Sequence, residues 1–233
     1  MSEMYVSGQS GIGRLIQALA ERGHMVIPFT IHHEQNIKSE YDEYFVPHID
    51  FREQLKNISI KNGIKVASRA VVNTTAVNLF EKLINDTKPD IVHLNNIHHQ
   101  LTPAIIKVPR KHGIPVVWTQ HDYTLLCPDH IFLNKGRICQ KCAGGKYYHA
   151  VLNRCKKNSL GASLIATIEC SLFPPKKLAP MIDRFISPSQ FLADHLLKHC
   201  IPADKIEVIP NFLPSIDISS SGDEYFLYFG RLS

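Results

Sequence analysis

Ile91-Val-His-Leu94 and Ile114-Pro-Val-Val-Trp-Thr119 are short runs rich in β-branched and aromatic residues. Each follows a helix-like segment, residues 76–84 before the first and residues 103–111 before the second. The alternation continues with Arg184-Phe-Ile-Ser187, a helical stretch over residues 190–199 and Ile206-Glu-Val-Ile209. Towards the N-terminus, Ile12, Leu15, Ile16, Leu19 and Ala20 fall at i, i+3, i+4, i+7 and i+8, one apolar face of a helix that ends near Gly23. Met25-Val-Ile-Pro-Phe29 then reads as a strand. Strands alternating with helices point to an α/β fold, a parallel sheet covered by helices on both faces.

The chain has 233 residues, between one and two domains at about 150 residues each. Its 44% apolar and 20% charged content excludes wholesale disorder, collagen and coiled coil. Lys and Arg number 26 against 21 Asp and Glu, and the resulting +5 permits an anionic ligand but is too diffuse to indicate a nucleic acid. Thirteen His residues would make anion affinity pH-dependent near their ordinary pKa of about 6.5. No run reaches the roughly 18 apolar residues that span a bilayer, since Glu169 interrupts the longest one, residues 160–173. Met1-Ser-Glu-Met-Tyr5 has neither a basic nor an apolar export region, which implies a cytoplasmic, reducing setting where the six cysteines need a reason other than disulfides.

A helix opens the chain without a convincing strand before it, beyond a remnant at Met4-Tyr-Val6, and Tyr225-Phe-Leu-Tyr-Phe229 closes it as a strand without a partner. The expected organisation is one domain over residues 1–214, a Ser-rich acidic linker over 215–224 and the first strand of a truncated second domain over 225–233.

Three constellations carry chemistry. Gly8, Gly11 and Gly13 sit at a helix N-terminus, where free backbone N–H groups and the helix dipole favour a phosphate. Their spacing fits neither G-x-G-x-x-G nor G-x-x-x-G-x-G, which counts against a dinucleotide loop and leaves a phosphate-binding helix start and a plain helix-initiating turn both open. Polar residues also gather at two expected strand ends, where open α/β sheets bind ligands: Asn95, Asn96, His98 and His99 after the first, and Gln120, His121, Asp122 and Tyr123 after the second. Finally, Cys127, Cys139, Cys142 and Cys155 give C-x11-C-x2-C-x12-C in a glycine- and lysine-bearing loop of about residues 127–156. Four thiolates at this spacing suit a structural Zn²⁺, less readily an iron–sulfur cluster, while Cys139-Gln-Lys-Cys142 could instead be a redox pair. Cys170 and Cys200 lie in apolar helical stretches and read as small core residues.

The succession Gly11-Ile-Gly13, Glu21-Arg-Gly-His24, His121-Asp-Tyr-Thr-Leu-Leu-Cys-Pro128, Ile186-Ser-Pro-Ser189, Val208-Ile-Pro-Asn211 and Phe229-Gly-Arg-Leu-Ser233 resembles the retaining glycosyltransferases of family 4. The resemblance covers nearly the whole chain, and the cysteine loop resembles an insertion in one branch of that family. It implies the Rossmann-like, acceptor-side N-terminal half of a GT-B fold. It also implies transfer of a sugar from a nucleoside-diphosphate donor to a hydroxyl of a glycan or lipid-linked acceptor, with retention and without a catalytic metal, in polysaccharide or glycoconjugate synthesis. By motif, Gly11 and Gly13 would approach the donor phosphates, Arg231 would contact the pyrophosphate, and His121 would sit beside the transferred sugar. His121 would donate a hydrogen bond to it or position the reacting centre. Asn95, Asn96 and His98 are the candidates for acceptor contacts.

The family's basic residue after Gly-Arg-Leu-Ser and its glutamate-rich donor motif would fall beyond Ser233, so the chain alone is expected to be inactive. Leu172-Phe-Pro-Pro-Lys-Lys177 combines apolar and basic groups and suggests peripheral contact with the inner face of the membrane, though a surface loop is the plainer reading. From other function classes, a metal-stabilised interaction module without catalysis competes with the transferase reading. A nicotinamide-dependent oxidoreductase is disfavoured because no Tyr-x-x-x-Lys occurs.

Overall fold

A computed structural model describes residues 11–36, 38–48, 71–98 and 100–211. The remnant strand at residues 4–6, Gly8, His99, the linker, the strand at 225–229 and Arg231 lie outside the described residues.

The first helix, α1 (Gly11–Glu21), ends as the sequence predicts. Gly23 takes a left-handed φ of 86°, and the N–H groups of Gly23 and His24 donate to the carbonyls of Ala20 and Leu19, which closes the last turn with a paired reverse motif. Helix α2 (Thr74–Thr87) starts where the Asn73 side chain accepts the Ala76 N–H, and it buries Ala76, Phe80, Leu83 and Ile84. Strand β1 (Val92–Asn95) follows. A 3-10 turn (Pro103–Ile106) runs into the short helix α3 (Lys107–Lys111) and then β2 (Val116–Thr119). The intervening insertion holds a two-residue hairpin, β3 (Leu133–Asn134) with β4 (Arg137–Ile138), and the helix α4 (Tyr148–Leu152). Then come α5 (Leu160–Leu172), α6 (Pro175–Leu178), β5 (Arg184–Ser187), α7 (Gln190–Lys198) and β6 (Ile206–Val208).

Among the described residues, β1, β2, β5 and β6 form one parallel sheet in that order, the α/β Rossmann-like architecture expected from the sequence. Parallel neighbours need helical crossovers, and α3 and α7 supply two of them. The register aligns Leu94 with Trp118, Trp118 with Phe185 and Phe185 with Ile206. That row is the spine of the core: Trp118 and Phe185 are almost wholly buried, with ring centroids 6.1 Å apart. The alternate row, through His93, Val117 and Arg184, is more open.

Two expectations are corrected. Residues 25–29 form no ladder; the described pairing in that region is a single parallel bridge between Ile31 and Val46. Pro28 has no N–H to donate, which weakens a strand there. Cys200 is not a core residue; it lies exposed at the turn after α7 with a φ of 72°. Cys170 is buried as expected. Within residues 172–177, Phe173 and Pro175 turn into the core, leaving less apolar surface there than the sequence suggests. No helix among the described residues is long and apolar enough to cross a membrane.

Candidate functional site

Parallel register places the carboxyl ends of β1 and β2 side by side, with Asn95 opposite Thr119. The chain leaves β1 through Asn96, held at a left-handed φ of 42°, and leaves β2 through Gln120, whose N–H donates to the Ile186 carbonyl. Two polar segments far apart in sequence thereby meet. His121 Nε2 lies 2.8 Å from Asn95 Oδ1. The amide oxygen only accepts, so with the amide oriented as assigned Nε2 carries the proton and Nδ1 of the neutral ring is left as an acceptor.

Just below this pair, His93 Nε2 and Thr119 Oγ1 are 2.7 Å apart. His93 and Thr119 escape the sequence reading because they sit at strand positions; a histidine in an otherwise apolar strand is the available signal. Both imidazoles titrate below their ordinary value. For His121 the cause is displacement of water by surrounding protein, partly opposed by Asp122. For His93 it is the same desolvation, reinforced by His121. The rings are therefore neutral at pH 7, suited to hydrogen bonding with sugar-like hydroxyls rather than to binding anions.

Asp122 shapes the turn after His121. Its Oδ1 accepts from the Thr124 N–H at 2.7 Å and from the Thr124 hydroxyl. Desolvation alone would raise this carboxyl, but the Thr124 bonds and the nearby His130 and His98 outweigh it and hold the group below the usual range. His98 turns inward: Nδ1 lies 3.2 Å from Glu169 Oε1 on α5, and its ring lies tilted with its centroid 5.6 Å from that of Trp118. Glu169, which interrupts an apolar run in the sequence, is a buried partner of this network.

Gly11 and Gly13 are the first and third residues of α1, Gly11 exposed and Gly13 buried. A Cβ on Gly11 would meet nothing within 4 Å, so no described atom requires glycine there. Cys127, Cys139, Cys142 and Cys155 line one small cavity in the insertion, some residues beyond the His121 turn. Burial, with the other three cysteines adding to it, pushes the Cys142 thiol up to about 12.

Set against known proteins, the family model for Glycosyltransferase Family 4 matches residues 9–214. A curated relative, described as an uncharacterized 42.6 kDa protein in the cps region of Klebsiella pneumoniae, is 23% identical over 232 residues. The match takes in 94% of this chain and 55% of the relative, so the chain spans about half the relative's length. No solved structure matches.

Proposed function

The chain belongs to glycosyltransferase family 4, and on that premise we propose that it transfers a sugar from a nucleoside-diphosphate donor to an acceptor hydroxyl, with the anomeric configuration retained. A capsule-region relative supports a place in polysaccharide synthesis. The observation that carries the reading is the His121–Asn95 pair, 2.8 Å apart at the adjoining carboxyl ends of β1 and β2, the edge at which open α/β sheets bind ligands.

In this reading His121 spends its Nε2–H on Asn95 and offers Nδ1 as acceptor to a hydroxyl of the transferred sugar. That reverses the donor role considered from the sequence and leaves the residue a positioning group rather than a general base. A leaving diphosphate gathers negative charge, which backbone N–H groups at the start of α1 and the guanidinium of Arg231 would stabilise. Asn95, Asn96 and His98 remain the acceptor-side candidates. Buried against Glu169, His98 would act by shaping the loop as much as by touching an acceptor.

The test uses the product of the whole gene and follows nucleoside diphosphate release from a panel of nucleotide sugars. His121→Ala should lower turnover by roughly 10²-fold or more, the scale of losing a well-placed group at the reacting centre. Near-normal turnover in that variant would remove the residue's role, and no release from any donor would sink the transferase reading.

A further inference from the structure

We propose that Cys127, Cys139, Cys142 and Cys155 bind one Zn²⁺ that holds the insertion together. The four thiols come from separate pieces of backbone: the turn after Tyr123, the exit of β4, the start of the 3-10 turn Ala143–Gly145 and the residue three beyond α4. All four nevertheless line one cavity of about 10 Å³, closed on other sides by Pro128, Phe132 and Ala150. That space has room for a single ion between the thiols. An all-thiolate set selects zinc among the common divalent ions.

The insertion has little apolar core of its own. Within it Cys142, Tyr147 and Ala150 are buried together with Cys170 of α5, with Cys155 against them, while Cys127 and Phe132 join the core of the sheet domain. Most of its aliphatic residues face the other way, with Ile138 83% and Leu152 72% exposed and Leu133 also outside. A segment that turns its thiols in and most of its aliphatic side chains out gains little from hydrophobic burial. Its backbone carries further cost, since His130, Phe132, Lys135 and Arg154 all hold positive φ without being glycine. A tetrahedral ion joining four backbone pieces offsets both deficits.

As the side chains lie, no three or more of His, Cys, Asp and Glu among the described residues stand in metal-holding geometry. Binding therefore requires the sulfurs to close into the cavity, each by rotation about its χ1, with each thiol losing its proton to solvent.

The experiment is elemental analysis of the full chain, expressed in zinc-replete medium and purified without chelator. About one zinc per chain is expected, and Co²⁺ put in its place should give the intense visible bands of a tetrahedral thiolate site. Cys139→Ser with Cys142→Ser should abolish both signals, whereas Cys200→Ser, outside the cavity, should leave them intact. Should the double variant fail to fold, the wild-type stoichiometry and cobalt spectrum decide alone. Wild-type protein with less than about a tenth of an equivalent of zinc and no cobalt band overturns the proposal, as does bound iron with sulfide.

Discussion

Replacing Asn73 by Ala removes two functions from one buried side chain at the base of the candidate site. Asn73 is 1% exposed. Its Oδ1 accepts the Ala76 N–H at 3.2 Å and so caps α2, and its Nδ2 donates to the Gln100 carbonyl at 2.6 Å. Its backbone N–H donates to Thr102 Oγ1 at 3.3 Å. Gln100 and Thr102 end the loop that carries Asn96 and His98. Thr102 sits at φ 64°, ψ 149°, a region that β-branched residues avoid, at a cost of about 1–3 kcal/mol. Asn73 thus fastens a strained loop to a helix N-terminus. Loss of the cap costs about 1 kcal/mol, and loss of a buried donor facing a carbonyl about 1–3 more. The sum is about 2–4 kcal/mol, which at a urea m-value of about 2 kcal/mol/M moves the unfolding midpoint by about 1–2 M. Trp118, the chain's single tryptophan and fully buried, reports unfolding by its fluorescence. Asn73→Ser keeps a capping oxygen but not the amide donor, so its midpoint should fall between those of the wild type and Asn73→Ala. An Ala variant within about 0.2 M of wild type, or a Ser variant as damaged as Ala, would refute the reasoning.

The core and the histidines make two further predictions. Trp118→Ala empties the centre of the row Leu94–Trp118–Phe185 and should destabilise by about 3–5 kcal/mol in far-UV circular dichroism melts; a loss under about 1 kcal/mol would mean that the row is not the core. Burial holds His93, His121 and His195 below the usual imidazole pKa. The unfolded chain therefore binds more protons than the folded one around and below about pH 6.5, and stability should fall as pH drops from about 7 through 6.5 and on to the lowered folded-state values, with little histidine contribution above about pH 7.5. A melting temperature that rises on acidification over that window would show instead that the folded state stabilises the charged rings.

Strand Arg184–Ser187 was legible residue for residue as a short apolar run before a helical stretch, and Ser189 caps α7. Helix α1 was equally legible at its C-terminal end through Gly23. The insertion's hairpin was not, since strands of two residues span a single repeat of the strand period, too few to establish a pattern. Residues 25–29 carried strand-like composition but, with Pro28 among them, no ladder. At the site, the two polar clusters were visible as residue types. Their junction depended on the register that sets Asn95 against Thr119, a long-range fact that local pattern does not contain. Helix α5 shows the opposite failure. Its spacing suggests a buried apolar helix, yet Leu160, Leu164, Ile168 and Leu172 face outward while Ser163, Ala166, Glu169 and Cys170 face in. The polar residue that seemed to break the run is the one the core uses.

That inversion explains how the insertion and the candidate site are joined. Beside the packing of Phe132 against Tyr123 and His195, the insertion meets the candidate site through a set of ionisable groups. Lys156 Nζ donates to His130 Nε2 at 2.8 Å. Burial lowers the Lys156 pKa most, while Asp129, Glu169 and Asp122 hold the ammonium in its charged form. His130 and His98 in turn act on Asp122. An apolar seam tolerates small slides, because its energy follows area. Charges at low local dielectric do not, because each partner left behind is a desolvated group without compensation. A shift of the insertion therefore changes the field at Asp122, and Asp122, through Thr124, sets the turn that aims His121 at Asn95. Through His130 and Asp122 the insertion thus touches the turn that carries His121, even though none of its cysteines belongs to the His121–Asn95 pair itself.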